Sequence, residues 1–436
     1  MITVVVHHSP HLLPKLSEEV IPVQIYGLNG RQQRNIATIG SPLIDPIKRL
    51  GVRISPTEFD FITLALAVTA ADTFVRRNIA ADGWTRDIKL QVPLYQPTVW
   101  LSQKEQLEQA LHFLSGDLWS LEITGGGYKP PNPYCQRNRY RLTRLRERDC
   151  VCLFSGGLDS AIGAIDLIAN NHVPLLVSHA YKGDKSHQDG IAKKLSGRFS
   201  RFSVNANPLS INGKTEITMR TRSLNFLAFG TVGAFAIARA NQLDNVQLFV
   251  PENGFISLNA PLTSRRIGSL STRTTHPYFM NLMQSIFNAV EIKTTITNPY
   301  QFKTKGEMLS ECQNQNVLHR VVSSTISCSK WKRKGQQCGK CVPCIIRRSA
   351  LMASGITELT PYEHQDLSVT IRDTGSRDDL FALMTAIQRL STTNINAWIS
   401  DSGPLPLEAT VRNEYKQVFL RGIKEVEKFL QTERIL

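Results

Sequence analysis

Apolar and polar residues alternate with period two in DIKLQVPLY, from Asp87, and in LWSLEIT, from Leu118, the signature of strands with one buried face. Ile2 to Val6 is a third predicted strand. Between them the period lengthens. PTEFDFITLALAVTAADTFVRR, from Pro56, reads as helical with apolar residues at Phe59, Ile62, Leu64, Leu66, Val68 and Phe74, and SQKEQLEQALHFLSG runs from a good N-cap, Ser102, to a terminating Gly116. Residues 1–123 therefore read as a small α+β domain. TGGGYKPPNP, Thr124 to Pro133, breaks both helix and strand, so residues 124–149 read as a linker that ends in a basic strip. From Cys150 the runs are uniformly apolar: VCLFS, VPLLVSHA and NVQLFVP alternate with the helical patterns LDSAIGAIDLIAN, GIAKKLSGRF and SLNFLAFGTVGAFAIARAN. That order predicts an α/β unit over 150–355, a Rossmann-like parallel sheet covered on both faces. Amphipathic patterns in DDLFALMTAIQRL and EATVRNEYKQVFLRGIKEVEKFL predict C-terminal helices over 356–436. No internal repeat and no low-complexity tract is visible.

A chain of 436 residues with 42% hydrophobic and 20% charged residues has the balance of a folded, multi-domain protein. No window approaches the roughly 18 uncharged apolar residues of a membrane span, and MITVVVHHSPHLLPKL lacks a basic leader, so a cytoplasmic protein without membrane contact is expected. The net charge of +15 favours an anionic partner: nucleotide, nucleic acid or an acidic protein. RNRYRLTRLRER, with six arginines in twelve residues, is either a solvated edge strand or a strip facing such an anion.

The most informative stretch is VCLFSGGLDSAIGAIDLI, Val151 to Ile168. A strand that hands Ser155, Gly156, Gly157 and Leu158 to a helix start makes an anion site. The first N–H groups of a helix lack intrahelical partners, its dipole is positive there, and glycine lets backbone approach phosphate. Ser155 and Ser160 add hydroxyl donors. Asp159 is acidic and cannot bind phosphate directly; it is expected to hold Mg²⁺ or to brace the loop. The spacing is not that of a Walker loop, which ends in Gly-Lys-Ser/Thr.

The eight cysteines include four within seventeen residues: Cys328, Cys338, Cys341 and Cys344. In a chain without a signal peptide this clustering points to metal. Four thiolates fit tetrahedral Zn²⁺ and leave no open position, which makes the site structural. An iron–sulfur cluster and unrelated free thiols are the alternatives. The neighbouring Lys330, Lys332, Arg333, Lys334, Lys340, Arg347 and Arg348 either lean toward an anionic substrate or are solvated.

Ser155 to Ser160 resembles the PP-loop of N-type ATP pyrophosphatases, Ser-Gly-Gly-x-Asp-Ser, and is complete. The resemblance implies the adenine nucleotide alpha hydrolase (HUP) type of fold and cleavage of ATP between the α and β phosphates to adenylate an oxygen. Arg222-Ser-Leu-Asn225 resembles the Arg-Asn element beside the nucleotide. Together with the cysteines and with NPYQFKTKGEML from Asn298, which looks like a Thr-Lys-x-Glu segment, the loop resembles the 7-cyano-7-deazaguanine synthase (QueC) family over about residues 150–350. This implies catalytic roles for Asp159, Ser160, Arg222 and Lys305, and nucleotide contacts from Ser155 to Ser160, Ser178, Arg222 and Asn225. A deazaguanine-type base would be gripped by Glu252, Asn253, Ser257, Asn259, Arg273 and His276, although the Asp-rich pattern of that family is not reproduced there. His276 has a second reading as a satisfied loop histidine. The implied cofactors are ATP, Mg²⁺ and Zn²⁺. The extra N- and C-terminal regions look like those of QueC-like proteins of Qat antiphage defence systems.

Three functions compete. An ATP-dependent enzyme would adenylate a deazaguanine-type carboxylate for attack by an amine, belonging in a defence setting to a partner protein. A PP-loop enzyme that modifies tRNA or DNA bases would bind nucleic acid with a steep salt dependence. An ATP-binding scaffold would assemble a defence complex without turnover.

Overall fold

The computed structural model describes residues 1–27, 34–135, 141–180, 184–263, 273–328, 330–331, 335–375 and 377–436. Arg137 and Arg139 of the basic strip, and Lys332, Arg333 and Lys334 of the cysteine loop, lie outside the described residues.

Among the described residues the chain builds two five-stranded sheets, both parallel throughout. The first contains β1 (Ile2–His7), β2 (Val20–Ile25), β3 (Ala37–Ile39), β4 (Asp87–Pro93) and β5 (Leu118–Thr124) in the order β3-β2-β1-β4-β5. The second contains β6 (Cys150–Leu153), β7 (Leu175–His179), β8 (Ser200–Val204), β9 (Val246–Phe249) and β10 (Thr294–Thr297) in the order β10-β9-β6-β7-β8. Counted from its own first strand, each sheet runs 3-2-1-4-5, the doubly wound order. The helices to the end of this unit are α1 (Ile44–Lys48), α2 (Pro56–Phe74), α3 (Pro97–Leu101), α4 (Lys104–Ser115), α5 (Leu158–Ala169), α6 (Asp184–Lys194), α7 (Arg222–Asn241), α8 (Gly254–Leu258), α9 (Pro277–Ala289), α10 (Lys305–Ser310) and α11 (Gln315–Val321).

The first unit is therefore α/β and not α+β. The expectation failed because alternation usually marks antiparallel strands with one wet face. Here a parallel sheet keeps such a face. Ile88, Leu90, Trp119, Leu121 and Ile123 point to the core, while Lys89 and Glu122 form an ion pair of 2.8 Å across the open side. The shared strand order is also a structural repeat that the residues do not display.

One core joins the sheets. α2 packs along α7 and α4 on α9, so the layers run sheet, two helix layers, sheet. This explains α2, in which every residue from Glu58 to Phe74 is buried. It explains α7 as well. That helix is long and apolar enough to cross a membrane, contrary to the expectation from sequence windows, but most of it is buried between α2 and the second sheet. The second sheet is covered on its other face by α5, α10 and α11, around Cys152, Phe154 and Leu176. The C-terminal helices, ending in Ala409–Thr432, pack on α8 and on the helix Val342–Ala353.

Glu58 carries a testable cost of this burial. It caps α2 together with Ser55, and burial pushes its carboxyl up to about 7. Because the folded-state value lies above the unfolded one, its contribution to stability is full at pH below about 4.5 and is lost as pH rises through about 7. Glu58→Gln keeps the cap and removes the titration. Denaturant melts of this variant should show a flatter stability profile between pH 5 and 8, by up to about 1.4 kcal/mol per pH unit.

Candidate functional site

In an open parallel sheet the ligand crevice lies beyond the carboxyl ends of the strands, where the strand order reverses. In the second sheet that point falls between β6 and β9. The first strand feeds the loop Ser155–Gly157 and then α5; the other feeds Val250, Pro251, Glu252 and Asn253.

The loop has the strand–loop–helix setting its sequence predicts. Gly156 has φ +85°, which favours glycine. The loop's outward carbonyls are tied down: Gln188 Nε2 donates to Ser155 O at 3.1 Å, and Ile326 N to Gly156 O at 3.2 Å. Ser155 Oγ accepts from Gly157 N at 3.2 Å and lies 3.2 Å from Ser160 Oγ, which donates to Gly157 O at 3.0 Å. The hydroxyls thus hold the loop in shape. Gly163, one turn into α5, admits the opposite wall, since a Cβ there would sit 2.3 Å from Pro251 Cγ.

Asp159 does not stay within the loop. Its Oδ2 accepts from Asn253 N at 3.1 Å and Asn253 Nδ2 at 2.6 Å, and Lys305 Nζ pairs with its Oδ1. Burial would raise this carboxyl, but the Lys305 ammonium and hydrogen bonds with Glu252 and Asn253 hold it well below the carboxylate range. Glu252 is driven the other way, by burial and then by the negative Asp159 beside it. Asn298 fixes this wall, donating from Nδ2 to Glu252 O at 2.8 Å and accepting from Glu252 N at 3.3 Å. Lys305 opens α10 behind a capping box made by Thr304 and Glu307. Two hard carboxylates on one crevice wall are a donor set suited to Mg²⁺.

A cavity of about 260 Å³ opens against this cluster. Ser155, Ser160 and Glu252 line one side, Arg222, Thr274 and Thr275 contribute further polar groups, and Phe226 and Met280 are among the apolar residues. Arg222 owes its place to the first unit. Asp72 of α2 accepts from Arg220 N at 2.8 Å, Thr221 N at 2.9 Å and Thr221 Oγ1 at 2.8 Å, and pairs with Arg86 at 2.6 Å.

The remaining candidates lie elsewhere. Asn225 is buried and donates to Thr69 Oγ1 at 2.5 Å, joining α7 to α2 instead of facing the cavity. Ser178 donates to Phe154 O at 2.9 Å and Ser257 to Gly254 O at 3.2 Å, so both hydroxyls serve local backbone. Asn253 also caps α8, accepting from Ile256 N at 2.9 Å, and Asn259 ends that helix with φ +51°. Arg273 donates to Phe113 O at 3.0 Å and stacks on the same ring. His276 is a fully buried N-cap of α9, accepting from Tyr278 N at 3.2 Å; burial and the nearby Arg273 push its pKa down to about 3, so it is neutral. For His276 the satisfied-histidine reading is the one the structure matches. Sequence reasoning missed Asn298, Asp72, Thr274 and Thr275. The two threonines sit between two named candidates and carried no distinguishing pattern; the others are distant in sequence.

The four cysteines meet. Their sulfurs lie within 4.8 Å of one another and all four are buried and free of disulfides. Cys338 Sγ to Cys344 Sγ and Cys341 Sγ to Cys328 Sγ are each 4.0 Å, close to the spacing of about 3.8 Å that tetrahedral Zn–S bonds of about 2.3 Å require. Backbone N–H groups of Cys338 and Cys341 point at Cys328 Sγ (3.3 Å) and Cys338 Sγ (3.4 Å), a setting for thiolate ligands. Arg347 and Arg348 are not solvated. Arg347 is fully buried and donates to Val322 O at 2.6 Å and Thr325 Oγ1 at 2.7 Å, while Arg348 donates to Gln365 O at 3.0 Å.

Residues 274–355 match the family model described as "Queuosine biosynthesis protein QueC". The stretch holds Lys305 and the four cysteines, and it forms a QueC family domain within the larger chain. No curated protein matches the chain.

Proposed function

We propose, from the QueC family domain at residues 274–355 and the crevice it shares with Ser155–Ser160, that the chain is an ATP-dependent enzyme of the QueC type that adenylates a deazaguanine-type carboxylate. The observation that carries this reading is the junction of Lys305, from the family domain, with Asp159 of the complete phosphate loop. A carboxylate oxygen attacks the α-phosphorus of ATP, the bond to the β-phosphate oxygen breaks, and pyrophosphate leaves. An amine then attacks the acyl carbon, AMP departs, and the nitrogen gives up a proton. Backbone N–H groups at the head of α5, with Ser155 and Ser160, hold the phosphates. Lys305 and Arg222 offset charge that builds on the leaving group, acting as preorganised donors. Asp159 and Glu252 would hold Mg²⁺, which when bound neutralises phosphate charge.

The wider reading places this chemistry in the cytoplasm and in antiphage defence. There a QueC-like protein of the Qat kind would join the base to an amine of a partner protein, with the two outer regions docking the acceptor. Incubation with ATP, MgCl₂, 7-carboxy-7-deazaguanine and an ammonium salt as the amine should release AMP and pyrophosphate in equal amounts. Release of ADP and phosphate would overturn adenylation. Intact-mass analysis of proteins encoded beside this one should show an added mass that is missing when Asp159 is replaced; unchanged masses would reject conjugation.

A further inference from the structure

We infer that Glu425, on the C-terminal helix Ala409–Thr432, is the positioning residue for Lys305, an assignment that rests on the role proposed for that lysine. The Glu425 carboxylate reaches the head of α10 from outside the second sheet. Thr304 Oγ1 donates to its Oε1, and Gly306 N donates to its Oε2 at 3.4 Å. Lys305 is the residue between them, buried, with its ammonium on Asp159. Gly306 is what lets the carboxylate come so close: a Cβ there would lie 2.5 Å from Glu425 Oε1. One turn earlier Arg421 grips the other half of the cap, with Nε to Glu307 Oε1 at 2.5 Å and Nη2 to Phe302 O at 2.8 Å. The C-terminal helix therefore holds the backbone on both sides of Lys305 and its capping glutamate.

Folding alone does not call for this carboxylate. The helix already buries Tyr415, Val418, Phe419, Ile423, Val426, Phe429 and Leu430. Glu425 is held largely out of water, where a carboxylate costs free energy and burial raises its proton affinity, so an apolar residue would serve packing better. What it supplies is a double acceptor for two groups that bracket the lysine proposed to act on the leaving group. The residue lies beyond the matched stretch, which ends at 355.

The test reads position and turnover separately. Glu425→Leu keeps a good helix former and deletes the acceptors; Glu425→Gln keeps an acceptor oxygen. Acylation by an amine-reactive reagent, followed by peptide mass spectrometry, reports the reactivity of Lys305 against exposed Lys293 in the same chain. Glu425→Leu should raise the relative labelling of Lys305 about 10-fold. It should also lower kcat for AMP formation about 10- to 100-fold with KM for ATP unchanged, the usual scale for losing a supporting partner. Glu425→Gln, which keeps one of the two acceptors, should fall between the parent and Glu425→Leu in both. Unchanged labelling in Glu425→Leu overturns the inference whatever the activity, as does raised labelling with unchanged kcat. Failure of the parent protein, or of a Lys305→Met control, to behave as the adenylation scheme requires overturns that scheme while the labelling result still stands by itself.

Discussion

Asp159→Asn should abolish most ATP-dependent AMP formation and destabilise the fold at the same time. The substitution keeps the shape of the side chain but removes its charge. The Lys305 ammonium, 5% exposed, then loses its counter-ion inside the crevice. Breaking a buried pair from one side costs about 3–5 kcal/mol, because an uncompensated charge remains. In the proposed scheme catalysis loses more than a positioning contact, since Asp159 holds Lys305 and would offer a hard oxygen to Mg²⁺; a fall in kcat of about 10²- to 10³-fold is the scale for one preorganised electrostatic group. The double variant Asp159→Asn, Lys305→Met separates the two effects. It removes the orphaned charge, so the thermal midpoint should recover toward the parent, while AMP formation stays lost. Recovery of turnover in the double variant would reject the assigned roles of both residues.

Zinc removal should disable the phosphate loop from behind. Cys344→Ser, or a strong chelator, takes away a site whose metal contributes folding free energy directly, on the order of 10–16 kcal/mol in isolated zinc-finger peptides. Cys328 is two residues from Ile326, whose N–H holds Gly156 O. Gln337, next to Cys338, accepts from Ser327 N at 2.9 Å and donates to Thr325 O at 3.1 Å. Buried Arg347 anchors the same segment at Thr325. Losing the metal frees the cysteine loop, then residues 325–327, and with them the tie on Gly156. Hydrogen exchange should rise in residues 325–345 and, to a lesser extent, in 155–160, and ATP should bind at least about 10-fold more weakly. Metal analysis should find one zinc and no iron per chain. Iron with visible absorbance would instead support a cluster, and unaltered exchange at 155–160 after chelation would separate the zinc site from nucleotide binding.

The two predictions draw on features that were unequally legible. Ser155–Ser160 and the cysteine spacing are local: a few consecutive residues carry both the chemistry and the backbone geometry it needs. Within 150–355, β6, β7 and β9 with α5 and α7 could be read for the same reason, since fully buried parallel strands and apolar helices leave unbroken patterns; β8 and β10 were not read, and the helix expected at GIAKKLSGRF lies instead at Asp184–Lys194. The first unit misled because its sheet keeps one wet face, so that period two, normally a mark of antiparallel pairing, accompanies parallel pairing. His276, Ser257 and Asn225 have the right residue types near the right element but spend their polar atoms on caps, a helix turn and the α2–α7 seam.

The amino-acid sequence by itself determined the Ser155–Ser160 loop between β6 and α5, the clustering of four cysteines and the strand–helix alternation of β6, α5, β7, α7 and β9, because each is encoded within one turn, one strand or one short spacing. Tertiary structure alone decided that Lys305 meets Asp159 across 146 residues, that Glu252 shares their crevice, that Asp72 steadies the approach to Arg222, and that the last helix grips the cap of α10. Those are meetings of charged and polar groups from separate elements. Their distances depend on strand order and on how the two sheets share a core, and no pattern along the chain carries that information.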